Sequence, residues 1–146
     1  VVFGGAVEPW LEVEPPAWMQ RHWSQVKGLF VVREHFQRVF PAPEDWTAVG
    51  ANMGVRMNVA RAEPFKTHLG RVGGTLSGAD DTEWLTRLKM RGHRCGWVGT
   101  ARVRHFIPRE RLTEEFLAAW FEGAGRTNVR QNGIDDSARC GGLPRW

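Results

Sequence analysis

Three carboxylates fall within four residues at Asp80-Asp81-Thr82-Glu83, just after a glycine-rich stretch and just before an amphipathic run. Carboxylates at a helix mouth either cap backbone N–H groups or act as a base at the edge of a site. Asp80 and Glu83 stand at capping-box spacing, with the acid three residues after the cap. Asp81 is not needed by that cap, and the helix dipole favours its ionised form. It is therefore the carboxylate available to take a proton. His105 stands near the end of an expected strand that closes on Arg104-His105-Phe106-Ile107-Pro108, and Arg109 and Arg111 follow, so that end is locally basic. A histidine there serves as a structural hydrogen-bonder or as a ligand. In Gly50-Ala51-Asn52-Met53, Asn52 offers a donor and acceptors, and its small neighbours let backbone approach a ligand. A turn asparagine before a strand has the same pattern.

These residues need elements to position them. Residues 1–7 read as a buried strand interrupted by Gly4-Gly5, a pair that marks a bulge or the close approach of backbone or ligand. Pro9, Pro15 and Pro16 argue against regular structure, so residues 10–23 are expected as an irregular loop pinned by tryptophans. Residues 26–40 read as a short strand or hairpin, and Pro41-Ala42-Pro43 breaks the chain. A strand is expected around residues 46–60. Residues 69–78 hold neither a P-loop nor a dinucleotide fingerprint; they read as a mobile loop, either a lid or a plain connector.

Trp84, Leu85 and Leu88 predict a helix over residues 80–91, with Lys89 and Arg91 at its negative end and Gly92 as its stop. Residues 94–99 and 101–107 read as two strands joined by a Gly99-Thr100 turn. Thr113 caps a second helix with a broad aromatic face, expected to end at Gly123 and Gly125. A loose tail is expected beyond it.

The totals exclude several classes. The 146 residues suit one domain, and 42% hydrophobic with 25% charged residues supports a real core. The two cysteines, Cys95 and Cys140, lack metal or disulfide-framework spacing. No apolar run approaches a membrane span. The net charge of +4 and pI near 9.8 fit either an anionic partner or an arginine-biased solvated surface. No run of like charges points to nucleic acid. The chain opens on Val1 directly into an apolar run, which leads to the expectation of a processed chain or a fragment.

Taken in order, the motifs resemble the second half of a family 2 glycosyltransferase domain. They are Gly4-Gly5, Pro15-Pro16-Ala17-Trp18, Gly50-Ala51-Asn52-Met53 and Leu69-Gly70-Arg71. Asp80-Asp81-Thr82-Glu83, Arg87 through Gly92, His105 and Pro108-Arg109-Glu110-Arg111-Leu112-Thr113 complete the series. The family more often shows Glu where Asp80 stands. Its nucleotide-binding half, with the metal-holding Asp-x-Asp, has no counterpart here, and Asp135-Asp136 is too far along to replace it.

The resemblance implies an α/β fold: a partial GT-A domain over residues 1–127, with a mixed sheet, flanking helices and a tail over 128–146. It implies an inverting transfer of a sugar from a nucleotide-diphosphate donor to a glycan or lipid-linked acceptor hydroxyl, without nucleic acid. Asp81 is the implied base. Asp80, Asn52, Gly50, Arg109 and Arg111 are implied acceptor or donor contacts. His105 is an implied ligand of a divalent metal (Mg²⁺ or Mn²⁺) held mainly by the Asp-x-Asp motif. A cytoplasmic location, with peripheral association at the membrane face, follows from the same resemblance. The competing expectations are an inactive partial domain, with an exposed sheet edge, and a basic binding module for nucleic acid or anionic lipid.

Overall fold

The computed structural model describes residues 2–67, 80–132, 139–140 and 143–144. The glycine-rich loop expected at 69–78 and the Asp135-Asp136 pair lie outside them. The fold is α/β, built on a mixed four-stranded sheet flanked by helices. Strand β1 (Val2–Leu11) pairs in parallel with β4 (Cys95–Ile107). Two short strands pair antiparallel at the flanks, β2 (Arg38–Val39) on β4 and β3 (Met53–Val55) on β1, giving the order β2-β4-β1-β3. A separate antiparallel pair joins β5 (Arg139–Cys140) to β6 (Leu143–Pro144).

The expected strand at the start is longer than its apolar run, because it continues through Pro9. The N–H and C=O of Val7 both bond Arg33, on the side away from β4. Pro9, two residues on, turns its donor-less nitrogen to that same side. No ladder bond to β4 is lost there.

The two strands expected at 94–107 are one. Gly99 and Thr100 do not reverse the chain; they are taken up as a register shift. Gly5 pairs with Val98, but Ala6 pairs with Arg102. Asn52 fills the irregularity. Its Nδ2 donates to Ala6 O and to Ala101 O, both at 2.8 Å, and its carbonyl accepts from the Gly5 N–H at 3.2 Å. A Cβ on Gly5 would stand 2.4 Å from Ala101 O and 2.6 Å from Asn52 Nδ2, so only glycine fits. The glycine pair thus marks a bulge and a close backbone approach together.

Helices replace much of the loop expected at 10–23 and the first part of the span 26–40, where a bridge at Arg33 and the short strand β2 are the extended parts. Short helices α1 (Ala17–Arg21) and α2 (Trp23–Val26) lead into a 3-10 turn, Lys27–Phe30. Pro16 sits before α1 in extended conformation, and its carbonyl takes the N–H groups of Met19 and Gln20. Pro-Pro here starts a helix, as proline can where no N–H bond is required. Helix α3 (Met57–Ala62) likewise occupies part of the span expected as a strand.

Helix α4 (Asp80–Met90) follows its sequence signals, and Gly92 takes the left-handed φ of 78° that a helix stop favours. Trp84, Leu85 and Leu88 are buried against Val2, Ala48 and Val59. Each such side chain contributes roughly 1.5–3 kcal/mol of apolar burial. A second cluster holds Met19, Phe30, Val32, Ile107 and Leu112, with Phe116 and Leu117 of α5 (Glu114–Asn132) packed on it. Thr113 caps α5 as expected, its Oγ1 accepting from the Phe116 N–H. The helix does not stop at Gly123 or Gly125. It continues to Asn132, with Thr127 buried and bonded to the Gly123 carbonyl. Among the described residues no helix is long and apolar enough to cross a membrane.

Replacing Asn52 by alanine leaves two strand carbonyls without their donor at the register shift. The expected loss is about 1–3 kcal/mol of unfolding free energy, read by urea denaturation. A loss below about 0.5 kcal/mol, typical of a neutral surface change, would show that the shift holds without the clamp.

Candidate functional site

A cavity of about 600 Å³ opens among the mouth of α4, the 3-10 turn, the Val49–Asn52 turn, the end of β4 and the first half of α5. Asp80, Asp81 and Thr82 line it from α4, and Val49, Gly50 and Ala51 from the turn. His105, Arg111 and Trp120 line it from the far end. The remaining wall comes from the segment 28–33, including Val31 and Arg33. Five of the residues singled out in the sequence, Gly50, Asp80, Asp81, His105 and Arg111, therefore face one space.

Asp80 and Asp81 are the first two described residues of α4, both with helical backbone. Glu83 does not complete a capping box in the described contacts. It bonds Arg87 one turn on and pairs with Lys66 at 2.8 Å. Asp81 is held at both oxygens. Oδ2 accepts from the Gly50 N–H at 2.9 Å, and Oδ1 accepts from the Thr82 N–H at 2.8 Å. A carboxylate has about four lone-pair positions, so capacity remains on the cavity side for a hydroxyl donor. Gly50 matters by its backbone: a Cβ there would meet Asp81 Oδ2 at 3.5 Å.

Arg33 is the cation of this cavity that no motif indicated. It sits behind Phe30-Val31-Val32, a run that reads as buried strand, and its one signal is a charge directly after that run. Burial pulls the Arg33 guanidinium pKa below its usual value, and the Asp81 charge partly restores it. Arg111 stacks its guanidinium over the Phe116 ring, 5.8 Å from the centroid. Trp120 was legible only as part of an aromatic helix face.

Two of the sequence candidates lie off the cavity wall. Asn52 spends its amide nitrogen on Ala6 and Ala101. Arg109 turns to Glu12, which accepts from its backbone N–H at 2.8 Å and stands 3.7 Å from its Nε. Among the described residues no group of three or more His, Cys, Asp or Glu could hold a metal ion. The implied metal does not fit this residue set by itself.

The middle and C-terminal end of α4 are braced by Glu63. Glu63, 7% exposed, takes Arg87 Nη1 at 2.8 Å and also Arg91, while its carbonyl takes the Trp84 indole N–H. Breaking a buried pair by removing one partner costs far more than an exposed pair contributes. This brace fixes the helix that carries Asp81.

The hydrogen bond from Arg87, with help from Lys66, holds the Glu83 carboxyl below its ordinary 4.5. A depressed folded pKa stabilises the protein fully above the unfolded value and loses that contribution as pH falls through the folded one. Glu83→Gln should therefore flatten the decline in stability below about pH 4.5, measured by urea melts across that range. An unchanged slope would show that other carboxylates set it.

Comparison with known proteins gives no match: no family model, no curated protein and no solved structure matches this chain.

Proposed function

We propose that this chain is the acceptor-side half of an inverting, GT-A-type glycosyltransferase, with Asp81 as the base. The observation that carries the reading is the Asp81 carboxylate, fixed by the Gly50 N–H on the wall of a 600 Å³ cavity shared with Asp80, His105 and Arg111. Those residues come from separate parts of the chain, and each belongs to a motif on which the family resemblance rests. The strand order β2-β4-β1-β3, with β3 antiparallel at one edge, supports the partial GT-A fold. That edge is a place where further strands of a complete domain would add.

In this reading the acceptor hydroxyl donates its proton to Asp81. Its oxygen forms a bond to the anomeric carbon as the bond from that carbon to the diphosphate oxygen breaks. One displacement inverts the anomeric centre. Unlike inverting hydrolysis, no carboxylic acid has to protonate the leaving group, because cationic groups can hold the departing charge. Arg111 and His105 are the proposed contacts on that side. Asp80 is the proposed second contact to the acceptor. A divalent metal, where one takes part, would need ligands beyond this set, and no step here runs through it. Catalysis by Asp81 depends on placement before pKa, and the two N–H bonds to its carboxylate supply placement.

Asp81→Asn in the complete enzyme should lower sugar transfer about 10²–10⁴-fold, the usual contribution of a positioned base. Donor affinity should stay unchanged, and the thermal midpoint should fall only slightly, because the amide keeps one of the two N–H bonds that the carboxylate accepts. Transfer near the wild-type rate would remove Asp81 from the chemistry.

A further inference from the structure

We propose that Arg33 is the anion anchor of this cavity and takes a phosphoryl oxygen of the bound substrate. The proposal rests on the transfer reading of the site and adds a residue that neither the sequence motifs nor the resemblance mark.

Three features of the structure carry it. The first is the use of the guanidinium. Arg33 lines the cavity, and its Nη1 donates to Val32 O at 2.9 Å. Among the described residues it forms no ion pair; the nearest charge it feels is Asp81, whose oxygens are already directed at Gly50 and Thr82. An arginine has five N–H donors in a planar fork. Most of them remain for whatever occupies the cavity.

The second is rigidity. Arg33 is held by a reciprocal backbone pair with Val7 of β1, both bonds 2.9 Å. The backbone from which the side chain leaves is therefore fixed on the central strand pair, and the bond from Nη1 to Val32 O ties the guanidinium to that same segment.

The third is strain. Val31, two residues earlier and on the same wall, holds φ 56° and ψ 17°. A β-branched residue in the left-handed region costs roughly 1–3 kcal/mol, and such outliers cluster at ligand sites. Here the turn ends the 3-10 helix and swings residues 31–33 along the cavity wall.

The chemistry that suits a half-buried planar fork is an oxyanion. Arginine matches phosphate bidentately, and the charge-assisted bonds are about twice as strong as neutral ones. With Arg111, two cations and the two carboxylates of α4 line one space. A lining of both signs can take a phosphoryl group and, at Asp81, a hydroxyl. The phosphoryl group has two possible sources, the diphosphate of the donor or the phosphate of a lipid-linked acceptor.

The test is binding without turnover. Wild type, Arg33→Met and Arg33→Lys are titrated calorimetrically with inorganic phosphate, pyrophosphate and geranyl phosphate at low salt. Wild type should bind, and Arg33→Met should weaken binding about 10- to 100-fold, the effect of losing a charged hydrogen-bond partner. Arg33→Lys, which keeps charge but not the fork, should fall between. Preference for pyrophosphate assigns the anion to the donor, and preference for geranyl phosphate to the acceptor. If Arg33→Met lowers the thermal midpoint, the lysine variant carries the comparison. Equal affinities across the variants, or no binding of any probe, would overturn the proposal. An Asp81→Asn variant that still transfers sugar would sink the transfer reading while leaving this phosphate dependence standing.

Discussion

The parallel pairing of β1 with β4 is the constraint on which the remaining structure depends. It runs from Val2–Cys95 to Leu11–Ile107 and joins two apolar clusters that otherwise lie apart. Val2 belongs to the cluster under α4, and Ile107 to the cluster under α5. A parallel pair cannot be closed by a tight turn; the connection must be long and usually carries helices. The 83 residues between the two strands, 12–94, carry α1 to α4 and most of the cavity lining, which His105, Arg111 and Trp120 complete. The register shift after Gly5 sets where those parts meet. Asn52 locks the shift, and Gly50, two residues earlier, donates to Asp81. The clamp of the sheet and the support of the candidate base are thus one short turn.

The cavity follows from the same frame. The two clusters pack at opposite ends of the strand pair, and the helix mouth, the 3-10 turn and the end of β4 converge between them. Polar groups on that wall are fixed by backbone. Gly50 and Thr82 hold the Asp81 carboxylate, Val32 O takes the Arg33 guanidinium, and the ladder of β4 fixes the backbone at His105. Preorganised groups do not have to be reoriented when charge develops, which is why such sites sit on rigid elements. Asp80 and Asp81 share this lining with Arg33 and Arg111, so charges of both signs face one space.

Much of this was legible locally. The α4 signals are all within one helix: acids at its start, an apolar stripe at Trp84, Leu85 and Leu88, bases at its end and Gly92 after it. Thr113 was legible as a cap because a cap is a contact between residues three apart. Gly4-Gly5 was legible as a bulge or close approach, and it is both. Gly99-Thr100 has turn composition, yet the long ladder with β1 keeps it extended and turns the surplus residues into a register shift. Pro9 has breaker composition, yet its nitrogen faces away from β4. Gly123 and Gly125 have stop composition, yet α5 runs on to bury Thr127. At Gly99-Thr100 a partner distant in sequence outweighed a local turn preference of about 1 kcal/mol or less; at Pro9 the side on which the strand pairs made the missing donor harmless; and α5 carries the roughly 1 kcal/mol helix cost of each glycine.

The candidate site divides the same way. The sequence by itself singled out Asp81 within its acidic cluster, because capping, dipole and periodicity are short-range rules that operate along one helix. It also marked Gly50, Asp80, His105 and Arg111 as separate points. Only the tertiary structure decided that those points share one cavity, that Asn52 serves the strands, that Arg109 faces Glu12 and that Arg33 joins the wall. Contacts between residues 31 or more positions apart, such as Gly50 with Asp81, depend on which strands pair and in what register. That register is set by the summed packing of the two cores, a quantity no local window contains.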